Sequence, residues 1–167
     1  MMNLLSRIGW EARVGDYQRR VGRPTLGSSS SQPDSPVPLA DAARELVDYL
    51  LFVDEAPLPD RIRGTSGFAE KFVAQGPRDR MGRSLRQLDL ERRLMRYPCS
   101  DMIYAPVFTE LPDGARDAIY RRMWQVLSGT DKDAKYTRLS FADRRAIVEI
   151  LRDTKQDLPG YFRPVTR

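Results

Sequence analysis

Residues 39–59, LADAARELVDYLLFVDEAPLP, carry the pattern from which the fold class follows. The segment has helical periodicity, and its last turns are apolar nearly all round: Leu46, Val47, Tyr49, Leu50, Leu51, Phe52 and Val53. A helix that is hydrophobic on all sides is expected to be covered on several sides by other parts of the protein. Pro57 and Pro59 are expected to end it, because proline cannot continue a helix. The sequence therefore predicts that this helix lies at the centre of the fold.

Other segments of the chain also have the spacing of amphipathic helices: 3–21, 64–76, 111–129 and 139–155. Ser140 is the expected N-cap of the last one, and Thr65 or Ser66 is the expected N-cap of the short second one. No stretch alternates with a period of two, so no strand is predicted. We therefore expect a mostly α protein, a single irregular helical domain of about five to six helices. Trp10 and Trp124 are both expected in its core.

Residues 84–97, SLRQLDLERRLMRY, are predicted to form one of these helices. Ser84 is followed three residues later by Gln87, which is the pattern of a capping box. Leu88, Leu90, Leu94 and Met95 fall on one helical face, and Arg86, Asp89, Arg92, Arg93 and Arg96 fall on the opposite one. Pro98 is expected to end this helix.

Composition divides the chain into three parts. Residues 1–21 are expected to form an N-terminal helix that packs on the main domain. Residues 22–38 are rich in serine and proline, which predicts a flexible linker or surface insertion. Residues 39–167 are expected to form the helical domain.

Cys99 is the only cysteine of the chain. Arg96 and a helix start near Ser100 are features that lower a thiol pKa, so a reactive thiol is one hypothesis for Cys99. Its apolar neighbours favour a buried structural side chain instead, because free cysteine is among the most buried residue types. We expect Cys99 to be buried and inert.

The absence of histidine removes whole classes of chemistry. Ser-His-Asp and Cys-His catalysis need it, and one cysteine without histidine cannot build a zinc site of the usual kind. The chain also lacks the CxxCH motif of covalent haem attachment. We therefore expect no catalytic residue, no metal ligand and no cofactor in this chain.

The ends and the hydropathy of the sequence bear on its location. No apolar run approaches the roughly 20 residues of a membrane span. The N-terminal residues lack the pattern of a signal peptide. These features predict a cytoplasmic location for the chain as it stands, and a periplasmic one if it is the tail of a longer exported protein.

The net charge of +5 is unevenly distributed. Residues 61–96 hold ten basic and four acidic side chains. A basic surplus attracts phosphates or acidic protein surfaces. The candidate contact residues for an anion or a partner are Arg86, Arg92, Arg93 and Arg96. The simpler interpretation is a solvated, partly self-paired face, and weak non-specific binding of nucleic acid is a further alternative without a recognisable binding module behind it.

Four segments carry a family resemblance: GTSGFAEKF (64–72), GPRDRMGRSLRQLDLERRLMRYPCSDMIYAPVF (76–108), LPDGARDAIYRRMWQVLSG (111–129) and LSFADRRAIVEILRDTK (139–155). Together they resemble the C-terminal region of an uncharacterised group of bacterial proteins, whose longer members carry a c-type cytochrome-like haem motif upstream. The resemblance spans residues 3–162, with the serine-rich stretch as an interruption. Asp101 departs from it, since an aromatic residue is expected there.

This resemblance implies a context of exported electron-transfer proteins and no established activity. Because the haem-attachment residues are absent, no haem contact carries over to any residue of this chain. The leading hypothesis is a non-enzymatic accessory or interaction domain, with an electron-transfer or other protein of acidic surface as its partner. The alternatives are a small enzyme or redox-sensitive protein that uses Cys99, and the weak nucleic-acid binder.

Overall fold

A computed structural model describes residues 2–21 and 37–165 of the chain. Over these ranges the protein contains six α-helices and no strand: α1 (Met2–Val21), α2 (Val37–Leu50), α3 (Phe68–Ala74), α4 (Pro106–Thr109), α5 (Asp113–Leu127) and α6 (Phe141–Thr154). Two short 3-10 turns lie at Asp101–Tyr104 and Ala134–Arg138. The predicted mostly α fold with five to six helices is confirmed. None of the described helices combines the length and the apolar character that crossing a bilayer requires.

Most of the predicted linker, residues 22–36, lies outside the described residues. Its last two positions, 37 and 38, belong to the first turn of α2. On the other side of the linker, the side chains of Leu4, Leu5 and Ile8 are buried in the same core as those of α2 and α5. Helix α1 therefore packs on the main helical domain.

Helix α2 packs against both α1 and α5. Leu46, Val47 and Leu50 are enclosed in the core, as their position on the helix predicts. One expectation about this segment is wrong: the helix ends at Leu50, before the two prolines. Tyr49 is 55 % exposed, so one side of the segment faces solvent.

A left-handed residue ends α2. Phe52 has φ 51°, and its N–H donates to the carbonyl of Tyr49 at 3.3 Å, while the N–H of Val53 donates to that of Asp48 at 3.0 Å. This pair of bonds is the Schellman arrangement, in which glycine usually takes the left-handed position. The carbonyl of Leu50 then accepts a hydrogen bond from the N–H of Ser100 at 2.7 Å. The end of α2 is thus joined to a segment fifty residues away in the sequence.

Helices α5 and α6 follow their sequence signals closely. The side chain of Ser140 accepts a hydrogen bond from the N–H of Asp143 at 3.1 Å, which confirms the predicted N-cap of α6. Gly129 lies just beyond α5 with φ 77°, in the left-handed region that glycine adopts without a steric penalty. In α3 the prediction is wrong in detail: its N-cap is Gly67, with φ 68°, and not Thr65 or Ser66.

Residues 84–97 do not form the predicted helix. They form a short antiparallel hairpin. The backbone N–H of Asp89 donates to the carbonyl of Leu94 at 3.0 Å, and that of Arg96 donates to the carbonyl of Gln87 at 2.8 Å. An isolated bridge pairs Leu88 with Met95. We refer to residues 87–96 as the hairpin.

The side chain of Asp89 explains why the hairpin replaces a helix. Its Oδ1 accepts hydrogen bonds from the backbone N–H groups of Glu91 at 2.9 Å and Arg92 at 3.0 Å. An aspartate that bonds nearby backbone groups competes with helix formation. Leu90 takes φ 60°, which a helix does not allow. The expected capping box is only half formed, since Gln87 Oε1 accepts from Ser84 N–H at 3.4 Å and no helix follows.

An ion pair connects the loop that precedes the hairpin to α6. Asp79, a buried carboxylate, accepts hydrogen bonds from the backbone and the guanidinium of Arg83, both at 2.7 Å. Arg83 also pairs with Glu149 of α6 at 2.8 Å, and hydrogen bonds from Arg145 and Arg83 lower the pKa of Glu149. The loop at 79–83 is therefore held both internally and against the last helix.

The two tryptophans differ from each other. Trp10 is 64 % exposed, so its expected place in the core is wrong. Trp124 packs against the core, with its ring centroid 5.3 Å from that of Phe162, and remains partly exposed. Phe108, by contrast, is fully enclosed and makes an edge-on contact with Tyr120.

This difference in burial predicts a difference in stability. Phe108→Ala should lower the free energy of unfolding by about 3–5 kcal/mol, because it leaves a cavity in the centre of the core. Trp124→Ala should cost less, about 1–3 kcal/mol, because part of its ring already contacts water. Denaturant unfolding of the two variants measures both values. A larger loss for Trp124→Ala than for Phe108→Ala would contradict this description of the core.

Candidate functional site

Cys99 is fully buried, and burial raises the pKa of its thiol to about 12, with the nearby Asp101 acting in the same direction. Arg96, which was considered as a group that lowers this pKa, is exposed and lies over the ring of Tyr97 instead, at 5.9 Å. A nucleophilic cysteine needs an accessible thiolate. Cys99 has neither the exposure nor the acidity for that role. No group of metal-ligating side chains occurs in the described part of the chain.

Two of the four candidate arginines are engaged within the protein. The Nε of Arg86 donates to Asp101 at 2.8 Å, and its guanidinium lies over the ring of Phe72 at 4.9 Å. Arg93 pairs with Asp143 of α6 at 2.6 Å, and this hydrogen bond raises the pKa of Arg93. Both arginines hold the irregular segment in place.

Arg92 and Arg96 are exposed, and among the described residues neither has an ion pair. Arg92 and Arg96 do not share a depression. Arg92 and Arg93 line one depression, which also contains two further basic side chains and three carboxylates: Lys135, Arg138, Glu55, Asp89 and Asp143. Arg96 lines another depression with Arg78. The structure therefore brings Arg92 and Arg93 to one depression and does not bring the four candidate arginines together.

The basic surplus of residues 61–96 is partly neutralised within the chain. Half of its ten basic side chains form ion pairs with carboxylates: Arg61, Arg80, Arg83, Arg86 and Arg93. This is the self-paired face of the simpler interpretation. A cavity of about 680 Å³ against α6 has the same character, since its Arg80, Arg83 and Arg145 face Asp153 and Glu149.

An apolar groove of about 510 Å³ opens between α3 and the hairpin. Eight apolar side chains line it, and the six that are called the groove residues below are Ile62, Phe68, Phe72, Leu88, Leu90 and Leu94. Phe68 is 63 % exposed, and Ile62 and Leu94 are also exposed. Single exposed apolar residues are ordinary, but a contiguous group of them marks an interaction site.

Local structure keeps these side chains at the surface. Helix α3 has no buried residue, and its Phe68 and Phe72 stack on each other with ring centroids 5.6 Å apart. The opposite wall is the hairpin, which also holds the approaching chain, since Ile62 N–H donates to the carbonyl of Leu90 at 2.9 Å. Leu90 is held in a left-handed conformation that costs on the order of 1–2 kcal/mol.

Charge differs between the two ends of the groove. At one end, Leu88 and Leu90 also line a depression that contains two arginines, Arg78 and Arg96, and one carboxylate, Glu70. At the other end, Leu94 also lines a depression whose rim includes the exposed Asp54, together with Tyr49. The groove is therefore mostly apolar, with a surplus of one positive charge at one end and acidic side chains at the other.

Models of known protein families give no match to this chain, and neither do the curated proteins or the solved structures. The resemblance to the C-terminal region of cytochrome-like proteins stays a prediction. The candidate site therefore rests on the residues of the chain itself.

The burial of Cys99 predicts slow thiol chemistry. At pH 8 the native protein should react with a maleimide on the order of a thousandfold more slowly than the unfolded chain, because reaction requires opening of a core with typical stability of about 5–15 kcal/mol. Mass spectrometry over time, with and without denaturant, measures both rates. Rapid stoichiometric labelling of the native protein would show that Cys99 is accessible.

Two neighbouring arginines give a matched test of the ion pair to α6. Arg93→Met should lower the free energy of unfolding by about 1–3 kcal/mol, because it leaves the half-buried Asp143 without its charged partner. Arg92→Met should change it by less than about 0.5 kcal/mol, since Arg92 is exposed. Urea unfolding measures both, and equal effects of the two substitutions would contradict a structural role for Arg93.

Proposed function

We propose that this protein is a non-enzymatic interaction domain, and that its groove binds an amphipathic helix of a partner protein. The observation that carries the proposal is the exposure of Phe68, Ile62 and Leu94 side by side in one groove. Buried aromatic and aliphatic anchors supply most of the energy of protein recognition, and helices commonly insert such anchors into apolar grooves.

Backbone strain supports the same surface. In the described part of the chain, Phe52 and Leu90 are the two non-glycine residues with positive φ. Leu90 lines the groove, and Phe52 lines the acidic depression that adjoins it. Strained backbone persists where the surrounding structure imposes it, and it clusters at functional sites.

The charges at the ends of the groove specify the partner further. Arg78 and Arg96 favour acidic residues at one end of the bound helix, and Asp54 favours a basic residue at the other. A partner with an acidic surface was also the expectation from the net charge. Within the predicted resemblance, that partner is an electron-transfer protein.

The alternative functions receive less support. An enzyme based on Cys99 needs an accessible thiolate, which the burial of this residue opposes. A nucleic-acid binder needs a continuous basic surface, whereas half of the surplus in residues 61–96 is paired with carboxylates.

The test uses a fluorescent amphipathic helical peptide with leucine and phenylalanine on one face, glutamates at one end and lysines at the other. We expect saturable binding by fluorescence anisotropy. Phe68→Ser and Leu94→Ser should each weaken it about tenfold or more, because each removes an apolar anchor. A peptide with lysines at both ends should also bind less tightly.

Met81→Ser is the matched control, because Met81 is 73 % exposed and lies outside the groove. It should leave the affinity unchanged. Phe68→Ser should keep the unfolding midpoint of the parent, which separates lost binding from lost folding. Absence of saturable binding, or equal loss with Met81→Ser, would overturn the proposal.

A further inference from the structure

Helix α1 has a second apolar face besides the one that packs in the core. Its core face consists of Leu4, Leu5, Ile8 and Ala12, all buried. At 100° per residue, four other apolar residues fall on the opposite side of the helix and are called the α1 seam below: Trp10, Val14, Tyr17 and Val21. Trp10, Tyr17 and Val21 are 64 %, 67 % and 61 % exposed. Nothing in the core accounts for this second face.

The spacing of the α1 seam is that of a coiled coil. Its residues follow one another at intervals of four, three and four, which is the a/d pattern of a heptad repeat. Val14 and Val21 occupy one heptad position, and Trp10 and Tyr17 occupy the other. In parallel coiled coils, β-branched residues at the a position with leucine at d favour two strands, and here valines take the a position while Trp10 and Tyr17 take d. The seam lies opposite the core face, on the side of α1 that α2 and α5 do not cover.

We infer that the α1 seam binds the α1 seam of a second copy of this chain, in a parallel two-helix arrangement. This inference does not depend on the groove, which lies on α3 and the hairpin. In the parallel register each seam residue faces its own counterpart. The two valines then form aliphatic layers between the aromatic ones.

The charges beside the seam favour the parallel over the antiparallel direction. One border carries Ser6, Arg13 and Arg20, and the other carries Glu11 and Gln18. Parallel pairing places Arg13 beside Gln18 of the second copy and Ser6 beside its Glu11. Arg7, one heptad before Val14, faces its own counterpart in this register, but its charge is already paired with Glu45 of α2. Antiparallel pairing places Arg13 beside Arg20, which is repulsive. A seam of four residues is small for an interface, so we expect a weak dimer.

The first test is the oligomeric state. Light scattering of the full chain should give a mass that rises from that of one chain, 19.2 kDa, toward twice that value as the concentration increases. Trp10→Ser should remain monomeric over the same range. Phe68→Ser, which alters the groove, should dimerise like the parent. A parent chain that stays monomeric at every concentration would overturn the inference, while the groove could still bind its partner.

The second test is the direction of pairing. Val14→Cys places a thiol that faces its own counterpart in a parallel dimer, and the buried Cys99 contributes little background. Mild oxidation should therefore cross-link Val14→Cys into covalent dimers. The control Glu11→Cys, beside the seam, should cross-link far less. Cross-linking only in a mixture of Val14→Cys with Tyr17→Cys would indicate antiparallel pairing and overturn the parallel arrangement.

Discussion

The carboxylate of Asp79 is the constraint on which the irregular half of this fold depends. It is buried, and it accepts hydrogen bonds from the backbone N–H groups of Met81 and Arg83 as well as from the guanidinium of Arg83. Arg83 then reaches Glu149 on α6. Breaking a buried pair of this kind costs about 3–5 kcal/mol, because a charge is left in the interior without compensation. The exposed pair of Arg80 with Asp153 adds little by comparison.

Further ion pairs fix the position of the hairpin, which follows the Asp79 loop in the sequence. Arg93 ties the hairpin to α6 through Asp143, and Arg86, the residue just before the hairpin, pairs with Asp101. Because these contacts occupy the polar side chains, the leucines of the hairpin are free to face α3 across the groove. The protein thereby keeps a set of apolar side chains at its surface, in a position that its own core does not cover. That arrangement is costly for a monomer and useful for binding a partner.

The helices could be predicted from the sequence because their periodic apolar residues face one core. Ser140 and Gly129 also marked the ends of their helices, since each acts on its own local backbone. The hairpin could not be predicted in this way. Its leucines and arginines separate equally well on a helix, and the groups that decide against the helix are the side chain of Asp89 and the distant Asp143.

The candidate site was predictable only in part. The burial of Cys99 followed from its apolar neighbours, but the roles of Arg86 and Arg93 depend on carboxylates fifteen and fifty residues away. Trp10 was misplaced because α1 has two apolar faces, and periodicity alone does not tell which of them is covered. The groove was not predicted; the signal for it in the sequence is the pair Phe68 and Phe72, four residues apart in a short helix.

The pairing of Leu88 with Met95 tests the central claim most directly, since it exists only if residues 87–96 form a hairpin that builds one wall of the groove. Nuclear magnetic resonance of the labelled protein measures it. We expect a contact between the α-protons of Leu88 and Met95, together with slow amide exchange at Asp89 and Arg96. An uninterrupted series of contacts between successive amide protons from Ser84 to Tyr97, without the Leu88–Met95 contact, would show a helix and contradict the account.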